Sequence, residues 1–198
     1  MAAPKNVLTK VGRVAFSSLI EPKQNLKDQM EWIVALELTE ADSKPLLNLV
    51  EQEIDRAQQE SKTFPRTGLN QPFRPSMEKD PNDPTVKVAK EGYLLWVFKR
   101  AVMRKTNPPK ERTAPILYDT DGAICNGKVT GIGSGSTGRV VFNPYTYHRG
   151  QQAGVGFGLE GFQIHELRTN SAPTVPALDG GWRPEGEDEK INLMDLAS

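Results

Sequence analysis

Apolar and polar residues alternate along much of this chain, and a two-residue repeat is the mark of a strand that buries one face. It is clearest at residues 30–39, where Met30, Trp32, Val34, Leu36 and Leu38 share one side. A strand is predicted there, and an earlier one over residues 7–19, where Val14 and Phe16 alternate with Arg13 and Ser17. The repeat then changes: Leu46, Val50, Ile54 and Ala57 recur at helical spacing behind Asp42 or Ser43, either of which can cap a helix whose first turn tolerates Pro45. An amphipathic helix of about four turns follows from that spacing.

Residues 64–84 carry prolines at 65, 72, 75, 81 and 84. Proline removes a backbone donor and fixes φ, so a long loop is predicted, bearing Phe64, Arg66, Phe73 and Arg74. Further strands are expected at residues 92–102, rich in aromatic side chains and followed by Arg104, Lys105 and a turn at 107–109, and at Ile116, Leu117 and Tyr118. A glycine-punctuated strand pair is expected over 127–141 and a last strand over 155–167. Strands outnumber helices and no βαβ rhythm appears, so a mainly β small barrel or sandwich with one inserted helix is favoured. Prolines, glycines and acidic residues beyond Asn170 predict a disordered acidic C-terminal tail, dividing the chain into a folded unit at 1–169 and a tail at 170–198.

Charge changes this picture. The 198 residues hold 25 Lys and Arg against 25 Asp and Glu, a net of zero, but the signs are segregated. Residues 62–112 carry twelve basic and five acidic side chains, whereas residues 179–198 carry six acidic and two basic. A basic middle and an acidic end suggest a polyanion site with a tail that occupies it or recruits a partner. The single Cys125 excludes an internal disulfide and a four-thiolate zinc site, and is expected to pack as a small apolar residue. A reducing, cytoplasmic compartment is the expectation, with neither an export signal nor a membrane-spanning stretch in the sequence.

Enzyme chemistry finds little support. Residues 133–138, Gly-Ser-Gly-Ser-Thr-Gly, match the dinucleotide fingerprint GxGxxG, but a strand ending at Pro144, not a helix, follows the last glycine. The two histidines, His148 and His165, stand seventeen residues apart with no second cysteine; His165 with Glu166 reads as a rim pair, and His148 beside Arg149 as an anion contact. No metal site, cofactor or catalytic residue is therefore expected, and the chain is not expected to be an enzyme.

Aromatic and basic residues, by contrast, interleave. Single-stranded nucleic acid needs cations for its phosphates and flat rings for its unpaired bases. Tyr93, Trp96 and Phe98 precede Lys99, Arg100, Arg104, Lys105 and Arg112, and Tyr145, Tyr147, His148 and Arg149 repeat the pairing. Each ring, Trp96 and Phe98 above all, can equally be a core residue. The candidate groove comprises Lys99, Arg100, Arg104, Lys105, Arg112 and Arg149, with Arg66 and Arg74 from the proline-rich loop and Tyr93, Trp96, Tyr145 and Tyr147 as stacking rings.

The order of a basic strand over 92–105, the Ile116-Leu117-Tyr118-Asp119 segment, the Gly131-Ile132-Gly133-Ser134-Gly135-Ser136 run, the Gly154-Val155-Gly156-Phe157 strand, Gln163-Ile164 and an acidic tail resembles the phage-encoded single-stranded-DNA-binding proteins of viral replisomes. The likeness spans about residues 8–168 plus the tail. It implies an OB-fold barrel, sequence-independent coating of single-stranded DNA in replication and recombination, and a tail that occupies the DNA groove or docks replication proteins such as the polymerase. Tail residues Glu185, Glu187, Asp188, Glu189, Asp195 and Leu196 would carry that contact; tails of this family often end in an aromatic residue, whereas this one ends Asp195-Leu196-Ala197-Ser198. A homodimer and a choice between DNA and RNA stay open. The competing expectation is a β-rich virion or scaffold protein, without nucleic-acid binding, in which the basic strand and acidic tail meet between subunits.

Overall fold

The computed structural model describes residues 6–104 and 106–169. Ten strands and one helix follow in the order β1 (Val7–Leu8), β2 (Gly12–Gln24), β3 (Met30–Thr39), α1 (Glu40–Glu60), β4 (Phe73–Lys79), β5 (Lys87–Ala101), β6 (Met103–Arg104), β7 (Lys110–Glu111), β8 (Ile116–Tyr118), β9 (Thr137–Arg149) and β10 (Gln152–Glu166). Antiparallel pairing runs β2–β3, β3–β5, β9–β10 and β9–β2, and a parallel contact between Gly158 of β10 and Lys99 of β5 joins the two ends. The five strands β2, β3, β5, β10 and β9 thus form a closed ring, a barrel of the OB type. Strand β1 adds to β9, β8 to β10 and β4 to β5, while β6 and β7 form a separate hairpin.

Alternation fills the ring. Trp96, Phe98, Phe142, Phe157 and Phe162 are fully buried, with Phe142 and Phe157 centroids 4.4 Å apart and Phe98 and Phe142 5.1 Å apart. Leu46, Leu49 and Val50 close this core from α1, which also packs Ala57 against Phe64 and Ala153. Cys125 is buried in the same core, as its apolar reading implied.

Five expectations are corrected. Strand β3 runs directly into α1, so the helix cap is Thr39, whose Oγ1 accepts from the Asp42 amide at 3.1 Å, and the helix reaches 21 residues instead of about four turns. Ser43 is spent differently: its Oγ accepts from Trp96 Nε1 at 2.9 Å. The proline-rich stretch contains β4, because among the described residues β4 pairs only with β5, and an outer edge tolerates Pro75. Residues 127–136 form turns, with Gly127 and Gly135 at φ of 80° and 88°, and only β9 follows. That strand does not stop at Pro144 but continues to Arg149, since among the described residues β1 pairs with it only at Val141 and Phe142, and Pro144 keeps its place opposite Phe157 of β10. Among the described residues no helix is long and apolar enough to cross a membrane.

Candidate nucleic-acid interface

Strands β9 and β10 pair so that Asn143, Tyr145 and Tyr147 lie opposite Gly158, Gly156 and Gly154 on the barrel's outer side. Cross-strand partners share a face, and a glycine leaves its half of the pair bare. The Tyr145 ring occupies that space: a β-carbon on Gly156 would fall 2.5 Å from Tyr145 Oη and 2.9 Å from Cε2. The ring lies down on the sheet and stays 46% exposed. Tyr147 stands beside it, ring centroids 6.3 Å apart at 44°. Burial of its hydroxyl end pushes the Tyr145 pKa above the usual phenol value; Tyr147 and Glu31 add to the rise, and Arg149 and Arg112 oppose it. Tyr145 therefore lies within electrostatic reach of all four.

Cations border this platform. Lys99, on the neighbouring strand opposite Gly158, reaches Glu31 Oε1 at 3.1 Å, and Asn25 Nδ2 in the β2–β3 turn donates to Glu31 Oε2 at 3.0 Å. Arg100 donates from Nε to the Thr113 carbonyl at 2.9 Å and from Nη1 to the Leu159 carbonyl at 3.2 Å, and it also pairs with Glu160. Arg112 Nη2 lies 3.3 Å from the other Glu160 oxygen. Burial lowers the Arg112 pKa, and the positive Arg100 and Arg104 lower it further against the pull of Glu160, so three cations share one neighbourhood. Arg104 and Arg149 are exposed and form no ion pair among the described residues. A surface with exposed rings and flanking cations can hold a strand of unpaired bases by stacking while contacting its phosphates.

The other sequence candidates lie apart. Trp96 is the clear correction: with Phe98 it faces the barrel interior, so its ring is wholly buried, stacks on Phe157 at 5.6 Å and packs on Phe73 at 4.7 Å. No base can reach it. Tyr93 lies six residues up β5 from Lys99, roughly 20 Å along a strand, with the Lys90 ammonium 3.8 Å from its ring centre. Arg74 pairs with Leu95, about 13 Å from Lys99 on the same rise. Arg66 is exposed in the loop after α1, whose Asn70 covers Gly154. His148 meets the Phe64 ring edge-on at 6.1 Å. Lys105 and the tail positions Glu185, Glu187, Asp188, Glu189, Asp195 and Leu196 lie outside the described residues.

The chain superposes on gp2.5, a single-stranded DNA-binding protein encoded by bacteriophage T7, with a TM-score of 0.63 and 17% identity, covering 88% of this chain and 99% of that one. The fold is one that phage single-stranded DNA-binding proteins share. The single-stranded DNA-binding protein from bacteriophage Enc34 in complex with ssDNA gives a TM-score of 0.59 at 12% identity, covering 83% of this chain and 88% of that one. Its C-terminal truncation gives 0.58 at 12% identity. No protein-family model matches the chain, and no curated protein does.

Sequence reasoning missed Glu31, Glu160, Asn25 and the role of Gly156. One signal was present for the last: glycine at 154, 156 and 158, every second position of a strand, leaves one face without side chains.

Proposed function

We propose that the chain is a non-enzymatic, sequence-independent single-stranded-DNA-binding protein of phage replication and recombination, working in the host-cell cytoplasm. The observation that carries this reading is the half-exposed Tyr145 ring laid over Gly156, with Tyr147 beside it, Arg149 and Arg112 within electrostatic reach and Lys99 opposite Gly158 on the neighbouring strand, on a barrel of the OB type. The fold shared with two phage single-stranded DNA-binding proteins supports it. Bases stack on the tyrosines, and phosphates run past the arginines and Lys99. The acidic tail, through Glu185, Glu187, Asp188, Glu189, Asp195 and Leu196, competes for the same cations or recruits replication proteins such as the polymerase.

The test is a titration of labelled oligothymidine by fluorescence anisotropy at several salt concentrations. Affinity falls with salt, because each phosphate contact on a single strand releases about 0.7 counterion. Tyr145→Ala weakens binding while leaving the thermal transition in place. A flat salt dependence, or full affinity in Tyr145→Ala, overturns the reading.

A further inference from the structure

Strands β9 and β10 slip register between Leu159 and Gly161, leaving Glu160 as the extra residue of a bulge. A bulge re-aims one side chain and is a recurrent device beside functional sites. Here it turns Glu160 toward two arginines distant in sequence, so that one carboxylate oxygen meets Arg100 and the other Arg112. Two oxygens of one anion bridging two guanidiniums is also how the non-bridging oxygens of a phosphodiester are held.

We propose that the space between Arg100 and Arg112 is a backbone-phosphate subsite that Glu160 occupies in the free protein and yields to the nucleic acid. The inference rests on the nucleic-acid reading given above. The geometry favours displacement of Glu160 over a positioning role. Arg100 is anchored independently by the Thr113 and Leu159 carbonyls, and its guanidinium keeps its place when the carboxylate leaves. Glu160 is 29% exposed and can swing into solvent, whereas Arg100 is 11% exposed and cannot follow it. A β-carbon on Gly158 would lie 3.7 Å from Tyr145 Cε1, and Arg100 holds the carbonyl of the next residue, Leu159, so the ring and the arginine pair border the same stretch of β10. Binding there exchanges one anion for another. The internal carboxylate consequently weakens the complex and lessens its salt dependence.

Glu160→Gln keeps the shape and one acceptor but removes the charge. In the full chain it tightens oligothymidine binding about three- to tenfold at low salt and steepens the slope of log K against log salt by about 0.7, the increment of one phosphate contact on a single strand. Glu160→Ala, without any acceptor, tightens it as well. Glu51→Gln removes the same charge from the exposed face of α1 and leaves affinity unchanged. Unchanged or weaker binding by both Glu160 variants, or equal tightening by Glu51→Gln, overturns the subsite. Wild type and Tyr145→Ala run in the same titrations separate the two readings. If the wild type ignores oligothymidine, the nucleic-acid reading has failed; if it binds through Tyr145 and the Glu160 variants do not tighten, the subsite alone has failed.

Discussion

Gly156→Ala tests the aromatic platform without touching a ring or a charge. The new β-carbon would stand 2.5 Å from Tyr145 Oη and 2.9 Å from Cε2, closer than non-bonded carbon tolerates. What must move is the outer end of a half-exposed side chain, so Tyr145 lifts off the sheet while the barrel stays as it is. Gly156 is absent from the left-handed φ positions, and alanine there restricts the unfolded chain, a gain of about 0.4–1 kcal/mol. Stability therefore holds or rises slightly. Binding should lose one base stack, about 1–3 kcal/mol, or about five- to 150-fold in Kd. Anisotropy with oligothymidine reads the loss and urea unfolding reads the stability. In a double-mutant cycle Gly156→Ala adds little to Tyr145→Ala, because both remove the same contact. Wild-type affinity in Gly156→Ala alongside a weakened Tyr145→Ala would refute the view that the bare strand face sets the ring's pose.

Trp96→Ala should cost about 3–5 kcal/mol of unfolding free energy in urea, as expected for a large buried ring; a loss under 1 kcal/mol would be incompatible with its core position. Burial raises the Glu37 pKa, but Lys90, the Ser76 hydroxyl and Arg13 outweigh it and hold the carboxyl below its ordinary 4.5. A group lowered on folding stabilises fully above the unfolded value and loses that contribution as pH falls through the folded one, so thermal melts should decline below about pH 4.5. Glu37→Gln should be less stable near neutrality and lose less on acidification; an equally steep acid decline would clear Glu37 of responsibility. Deleting residues 179–198, which carry six acidic and two basic side chains, should tighten oligothymidine binding at low salt, and unchanged or weaker binding would show that the tail does not compete.

Local patterns recovered what local physics decides. Strand β3 begins and ends where its alternation does, and Ile116–Tyr118 is a strand as read. What failed depended on neighbours. A proline-rich segment becomes β4 only because β5 offers an edge, and the glycines before β9 make turns because Gly135 donates its amide to Val14 of β2 at 2.8 Å. Gly92, at φ 76°, marks where β5, flanked by β4 on both sides of that point, begins to pair with β3 at Tyr93, a kink that no periodicity announces. Of the candidate interface, Tyr145, Tyr147, Lys99, Arg100 and Arg112 were legible as alternating rings and cations; whether they bind nucleic acid is what the titrations above decide. Strand parity already separated Trp96 from Lys99: residues three apart on a strand face opposite ways. Glu31 and Glu160 were not legible, because their partners Lys99 and Arg100 lie 68 and 60 residues away and meet them only once the barrel closes.

The place of closure bears on how the site must be probed. Strands β5 and β10 touch in parallel at one register position, Gly158 against Lys99, and the next residue, Arg100, crosses the seam to the Leu159 carbonyl. Arg100 thus fastens the barrel where it is joined least, while it also pairs with Glu160 in the proposed subsite. Truncating it leaves the Leu159 and Thr113 carbonyls without this donor and Glu160 without its nearer partner, so lost affinity in such a variant would mix fold and function. Arg149 has no such entanglement: it is exposed at the end of β9, opposite Gln152, and within electrostatic reach of Tyr145. If the cations act through phosphate, Arg149→Ala lowers the salt slope by about 0.7 with stability intact. Its loss therefore reports on the nucleic acid without disturbing the barrel seam, and a slope equal to wild type would remove it from the interface.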